Sequence, residues 1–285
     1  MIHEFNHIVA KLSSLYGELE AQAIVYLLFE DLLGIRKTDI FTKNSDVLSK
    51  SDLIKLKYAE ADLLQQIPIQ HIVGFAHFMD LKFKVNKDVL IPRPETEELV
   101  QLVLNDFKDA SIRILDIGTG SGCIAISIKN KLPKANVQAI DVSEKALNLA
   151  KENAKVNGVD VEFTQIDILN EREWLKLNKR NFDVIISNPP YVTQSDKLQM
   201  QKNVLEYEPE LALFVPEENP LLFYKSIAEF SKRYLVPKGK IYLEINEGLA
   251  NETKSLYIDS GFFNVDFLQD MMGKKRMMVI ENNDQ

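Results

Sequence analysis

Asn188, Pro189, Pro190 and Tyr191 have the types and spacing to do chemistry. They follow Phe182-Asp183-Val184-Ile185-Ile186, an apolar and partly β-branched run that reads as a buried strand. Neither proline has an N–H and each fixes its own φ, so the chain must leave the sheet there. Asn188 is then held by stiff neighbours at the C-terminal edge of a strand, where open α/β sheets bind ligands. The Asn188 side-chain oxygen and the Pro189 carbonyl are two acceptors. Together they suit the two hydrogens of a planar amino or amide nitrogen, which they would aim at an electrophile. Tyr191 adds a flat face for such a group to pack on. The same residues also make a plain strand-terminating turn, so what lies beside them decides their purpose.

A second constellation lies upstream. A strand over 112–116 enters Asp116-Ile117-Gly118-Thr119-Gly120-Ser121-Gly122, and a helix over 123–132 follows. Nicotinamide, flavin and S-adenosylmethionine sites all use a glycine-rich turn of this kind. The spacing here is Asp-x-Gly-x-Gly-x-Gly, not the G-x-G-x-x-G that cradles a pyrophosphate. A carboxylate at Asp116 suits a sulfonium or an ammonium beside the loop and would repel a pyrophosphate. Asp141 ends a strand over 137–140 and lies 19 residues beyond Gly122, a spacing suited to accepting from both ribose hydroxyls. Asp167 follows a strand over 161–165, near where an adenine would lie. S-adenosyl-L-methionine is the cofactor these features favour.

The elements that must position these groups occupy 285 residues, 46% hydrophobic and 27% charged, which is ordinary globular composition. Residues 1–67 read as a small helical domain. Phe5, Ile8, Val9, Leu12 and Leu15 keep helical spacing, Ala21, Ile24, Val25, Leu28 and Leu32 repeat it, and Gly34 ends it. A polar segment around Lys43-Asn44-Ser45 precedes a further helix. Residues 68–94 read as a β-hairpin linker, in which Met79, Leu81, Phe83 and Val85 alternate. Pro94 starts a helix whose first turn carries Glu95, Glu97 and Glu98, a capping pattern. Residues 95–285 read as one domain, of which 110–285 alternate strand and helix, as in a doubly wound, mostly parallel sheet. Further strands are expected over 182–186 and 240–245, the latter after a Pro237-Lys238-Gly239 turn, and over 265–268 and 276–280 as a terminal hairpin.

A net charge of −8 argues against a broad duplex-DNA footprint, so no direct DNA binding is expected. The single Cys123 excludes an intrachain disulfide framework and reads as a small buried filler. His3, His7, His71 and His77 lack metal-ligand spacing, so no metal is expected. No secretory signal and no apolar run of about 20 residues is evident, which makes a cytoplasmic protein without membrane association the expectation.

Taken together, residues 110–285 resemble a class I S-adenosylmethionine-dependent methyltransferase. The whole chain resembles more narrowly the PrmC/HemK family of release-factor glutamine methyltransferases. The matching stretches are Pro68 to Gly74, Val89 to Glu97, Asp116 to Ala125, Ser187 to Tyr191, and Glu208-Pro209. Two departures stand out: Asp80 where the family often has glycine, and Val215 to Asn219 in place of a glycine-containing turn. The resemblance implies a Rossmann-like, seven-stranded methyltransferase domain with an antiparallel last strand and a helical N-terminal domain that docks the release factor. It implies methyl transfer to the side-chain nitrogen of the glutamine in the Gly-Gly-Gln loop of peptide chain release factors. Asn188, Pro189 and Tyr191 would then be catalytic, and those three with Pro190 would hold the substrate. Asp116, Gly118, Thr119, Gly120, Ser121, Gly122, Asp141, Asp167 and Asn188 would bind the cofactor. Competing expectations are an adenine-N6 nucleic-acid methyltransferase, which uses the same Asn-Pro-Pro-Tyr after base flipping, and a non-enzymatic binding protein.

Overall fold

The computed structural model describes residues 1–42, 48–177, 181–198 and 200–283; the polar segment at Lys43-Asn44-Ser45 lies outside them. Two compact units emerge, Met1–Phe75 with Gln201–Tyr207, and Ala76–Met200 with Glu208–Gln285.

The first unit is helical, with helices at Ile2–Tyr16, Glu18–Leu27, Lys37–Thr42, Lys50–Leu64, Ile69–Val73 and Lys202–Tyr207. Phe5, Ile8, Leu12, Val25, Leu28, Phe29, Leu56 and Leu63 bury one apolar cluster. The second helix departs from the simple expectation. It stops at Leu27 and widens into a π turn over Leu28–Leu32, closed by Gly34 at φ 70°. The wider turn rotates the face, so Phe29 is fully buried while Leu32 is only partly so. Residues 69–73, expected within the hairpin segment, form a helix ended by Gly74 in the left-handed region.

Strands β1 (Phe75–Phe78) and β2 (Leu81–Lys84) form the hairpin. Its two-residue turn, Met79 and Asp80, has φ of 50° and 64°, the left-handed pair that glycine and asparagine usually supply.

The second unit carries the seven-stranded sheet: β3 (Arg113–Ile117), β4 (Asn136–Asp141), β5 (Glu162–Gln165), β6 (Phe182–Ser187), β7 (Leu235–Glu244), β8 (Asn264–Gln269) and β9 (Lys275–Glu281). The order is β5-β4-β3-β6-β7-β9-β8. The first five strands run parallel, and β9 is antiparallel to both β7 and β8, as expected. β7 begins at Leu235 rather than Lys240: Phe182 pairs with Leu235 and Val184 with Lys240, so Pro237 to Gly239 loop out inside the strand instead of preceding it. Alternate residues bury both faces, which is why β3, β6 and β7 read as continuous apolar runs. Leu115, Ile185, Ile241 and Leu243 pack with Tyr224, Ile227 and Phe230 of the helix Leu222–Tyr234. Ile114, Val184, Ile186 and Tyr242 pack with Leu99, Val100 and Val103 of the helix Pro94–Asp106 and with the helix Cys123–Lys131. Sheet order grows one way from β3 through β4 to β5, then the other way through β6. The switch point therefore lies between the C-terminal ends of β3 and β6. Among the described residues, no helix is long and apolar enough to cross a membrane.

Candidate active site

At that switch point the chain encloses a cavity of about 220 Å³. Gly118 and Gly120, Asp141, Asp167, and Asn188 with Pro189 and Pro190 all contribute to its lining, so four segments distant in sequence meet there. Apolar side chains from Val89, Ile140, Ile166, Ile168 and Phe223 complete the walls.

The loop after β3 is shaped by its glycines. Gly118 and Thr119 donate their amides to the Ile140 carbonyl at 2.9 and 3.0 Å, folding the loop back over the end of β4. Gly118 and Gly120 have φ of 73° and 55°, and a Cβ on either would meet nothing within 4 Å. The space in front of both is cavity. Gly122 has another reason to be glycine, since a Cβ there would stand 2.8 Å from Ile126 Cδ1 and 3.1 Å from Ala150 Cβ. It lets the helix Cys123–Lys131 lie close to the helix Glu144–Val156.

Asp141 braces this loop as well as facing the cavity. Its Oδ2 accepts from the Gly120 amide and its Oδ1 from the Ser143 amide, each at 2.9 Å. Burial raises its pKa against the lowering effect of these bonds. Each oxygen keeps a lone pair for a ligand hydroxyl.

Asp116 behaves differently from the sequence expectation. It is fully buried, outside the cavity lining, and its Oδ2 accepts from the Thr119 hydroxyl at 2.6 Å. Its Oδ1 carries no hydrogen bond. Burial pushes this carboxyl up to about 7. Asp116 thus supports the loop from beneath, because its strand alternation sends it to the face covered by the helix Cys123–Lys131. Thr119, Ser121 and Gly122 are likewise absent from the lining. Cys123 is buried and its thiol is pushed up to about 12 by that burial, the signature of an inert filler.

At the end of β6, the Ser187 hydroxyl donates to the Ile117 carbonyl at 2.7 Å and locks β6 against β3. Asn188 follows. Its Nδ2 donates to Thr96 Oγ1 at 3.1 Å. Among the described residues neither its Oδ1 nor the Pro189 carbonyl accepts a hydrogen bond. Tyr191 is not part of the cavity wall: its ring packs against the core and its hydroxyl donates to Glu244 Oε1 at 2.9 Å. It braces the loop from behind rather than offering its face to a ligand.

Four residues of this arrangement escaped sequence reasoning. Thr96 and Arg93 lie within the Val89 to Glu97 motif with no role assigned by sequence, Arg276 reads in sequence as part of a solvated Lys274-Lys275-Arg276 turn, and Glu244 draws no attention there. A glutamate inside the apolar run Ile241-Tyr242-Leu243-Glu244-Ile245 was the signal available. Glu244 is buried, which raises its pKa, and it holds both Thr96 and Tyr191. Among the described residues no group of three or more His, Cys, Asp or Glu could hold a metal ion.

The donor set fits a nucleoside with room for a substituent beside the glycine loop. Open space over Gly118 and Gly120 admits a ligand onto loop backbone, Asp141 offers acceptors for hydroxyls, and the apolar wall beside Asp167 accommodates a flat ring.

Comparison with known proteins accords with this geometry. Residues 5–74 match the model described as the PrmC N-terminal domain, and residues 95–210 match that of the methyltransferase small domain. A release factor glutamine methyltransferase of Flavobacterium psychrophilum is 42% identical over 276 residues, covering 95% of each chain. Another, from Bacteroides thetaiotaomicron, is 41% identical over 273 residues, covering 96% of this chain and 97% of the relative. A methyltransferase crystal structure from Pyrococcus furiosus superposes with a TM-score of 0.52 at 20% identity, over 82% of this chain and all of that one, a likeness of fold.

Proposed function

We propose the following reaction for this chain, which belongs to the release factor glutamine methyltransferase family. It methylates the side-chain amide nitrogen, N5, of the glutamine in the Gly-Gly-Gln motif of peptide chain release factors, with S-adenosyl-L-methionine as methyl donor. The observation that carries this reading is the pair of unoccupied acceptors at the cavity, Asn188 Oδ1 and the Pro189 carbonyl, on a segment whose backbone two prolines stiffen. Those two atoms match the two N–H groups of a primary amide.

When bound, S-adenosylmethionine supplies a methyl already activated by its positive sulfur. Gly118 and Gly120 would take its amino-acid end, Asp141 its ribose hydroxyls, and the wall around Asp167 its adenine. The work left to the protein is placement. Asn188 and Pro189 hold the amide plane by both protons, so the nitrogen presents its face rather than its edge, and the apolar wall excludes water from the encounter. The only side chain hydrogen-bonded to Asn188 among the described residues is Thr96, which does not titrate, so no general base is assigned. The helical unit at Met1–Phe75 is the part free to recognise the release factor, and the reaction belongs in the cytoplasm, where release factors act.

The test is mass spectrometry of a purified release factor incubated with the protein and S-adenosylmethionine, beside a duplex-DNA control. One added methyl on the Gly-Gly-Gln glutamine, lost with Asn188→Ala while cofactor binding persists, is the expected result. Methyl groups on adenine alone would transfer the assignment to nucleic acid.

A further inference from the structure

The Asn188 side chain has two ends of nearly equal shape and opposite hydrogen-bonding sense. β6 and the two prolines fix its backbone but not which end faces the cavity. We propose that Thr96 is the positioning residue that makes this choice, by accepting from Asn188 with a hydroxyl whose own proton is committed to Glu244. The proposal rests on the reading of Asn188 as the holder of a substrate amide.

The Thr96 hydroxyl has one hydrogen, and Glu244 Oε2 lies 2.7 Å away. Burial works against ionisation of Glu244, whereas the hydrogen bonds from Thr96 and Tyr191 and the nearby Arg276 charge favour the carboxylate. In that form it only accepts, so that hydrogen is spent. Thr96 then has only lone pairs to offer at 3.1 Å, and Asn188 must turn its NH₂ towards it. The other Glu244 oxygen is defended in the same way. Tyr191 donates to it at 2.9 Å, and Arg276, which has no acceptor atom, stands 3.4 Å from the Tyr191 oxygen. The Tyr191 proton therefore has nowhere else to go. Bond directions run from Arg276 through Tyr191 into Glu244 on one side, and from Asn188 through Thr96 into Glu244 on the other. Only one Asn188 orientation satisfies every member, and it leaves Oδ1 for the cavity. The reversed side chain would meet the substrate's N–H groups with its own.

Placement supports a shared purpose. Thr96 is 3% exposed in the first turn of the helix Pro94–Asp106, Glu244 is 3% exposed at the end of β7, and Asn188 is on the loop after β6. Three elements separated by 92 and 148 residues from Thr96's partners converge on one hydroxyl.

The test uses the full chain with release factor and S-adenosylmethionine. Thr96→Val keeps the shape and removes the hydroxyl, whereas Thr96→Ser keeps the hydroxyl. Thr96→Val should lose roughly 10- to 100-fold in kcat, the cost of a misdirected positioning group. The KM for release factor and the cofactor Kd should move by less than about threefold, and Thr96→Ser should restore most of the rate. A Thr96→Val enzyme at full kcat, or a Thr96→Ser enzyme as slow as it, would overturn the proposal. So would parallel losses in kcat and cofactor affinity, which mark a merely structural residue. A second measurement needs neither turnover nor a variant. The Asn188 side-chain NH₂ of the wild-type protein, observed by NMR, should show one proton protected from exchange. Two freely exchanging protons there would refute the orientation even if glutamine is methylated. Protection in a protein that methylates no glutamine would instead leave the orientation standing and remove the functional reading.

Discussion

Glu208 accepts the Arg93 guanidinium on one oxygen and the Ile91 amide, at 3.0 Å, on the other, so a single carboxylate clasps the chain on both sides of Pro92. Its neighbours Pro209, Leu211 and Ala212 line the cavity, as do Asp88, Val89 and Leu90 just before the clasped segment. Two walls are thereby joined by one ion pair. The pair is lopsided, with 1% of the Glu208 side chain exposed against 33% for Arg93. Arg93→Ala leaves a buried carboxylate without its partner and should cost about 3–5 kcal/mol. Glu208→Gln leaves an arginine that can reach water and should cost about 1–3 kcal/mol. Urea denaturation of the two variants checks the order, and equal costs would show that burial of the carboxylate is not what matters.

Asp116 makes stability depend on pH in a definite direction. Burial lifts its folded pKa to about 7, above the ordinary carboxylate value of 3.8. The folded state then holds a proton that the unfolded chain has released. The stabilisation is complete below the unfolded value and is lost as pH rises through 7. Asp116→Asn stays neutral throughout, so its melting temperature relative to wild type should improve between pH 5 and pH 8. A difference that is flat across that range would mean that Asp116 is ionised in the fold.

The hairpin turn gives a test of backbone strain. Asp80 occupies φ 64° with its side chain in solvent, paired only loosely to Lys131 at 3.6 Å. Neighbouring Met79, also left-handed, is tied by its amide to Glu97 at 2.8 Å. Asp80→Gly relieves the strain and should raise stability by up to about 1 kcal/mol. Calorimetry should show a rise in melting temperature with cofactor affinity unchanged, and a fall would mean that the Lys131 contact outweighs the backbone.

Two glycines of the cavity loop should separate by phenotype. Gly122→Ala meets both a φ of 83° and contacts of 2.8 and 3.1 Å, and should cost about 2–4 kcal/mol. Gly118→Ala carries only the backbone penalty, about 1–2 kcal/mol, but places its methyl in the cavity. Titration calorimetry should find cofactor affinity reduced mainly in Gly118→Ala, and thermal melting should find stability reduced mainly in Gly122→Ala. The reverse pattern would exchange their roles.

Much of the fold was legible because its signals are local. Buried parallel strands such as Val184-Ile185-Ile186 announce themselves as apolar runs, and glycines and prolines mark where the chain must turn. The convergence of Gly118, Gly120, Asp141, Asp167 and Asn188 followed from sheet topology alone. What escaped was set by side-chain direction and distant partners. Asp116 and Gly118 are two residues apart, yet one supports the helix and the other faces the cavity. Tyr191 follows Asn188 by three residues, and the Glu244 carboxylate, 53 residues further on, draws its hydroxyl away from the cavity. The glutamates at 97 and 98, read as helix capping, also tether the Met79 and Met271 amides. The π turn at Leu28–Leu32 leaves no mark in hydrophobic spacing.

β9 lies between β7 and β8, although it follows both in the chain. On the ribosome, β7 is complete at Glu244, but its outer edge stays unpaired until Glu281 has been added, 37 residues later. At about 5–20 residues per second that interval is roughly 2–7 s. Throughout it, Lys240 to Glu244 of β7 show an open row of N–H and C=O groups, and from residue 269 onwards β8 too has emerged with no sheet to join. A stall after residue 269 and before 275 therefore strands two edges at once.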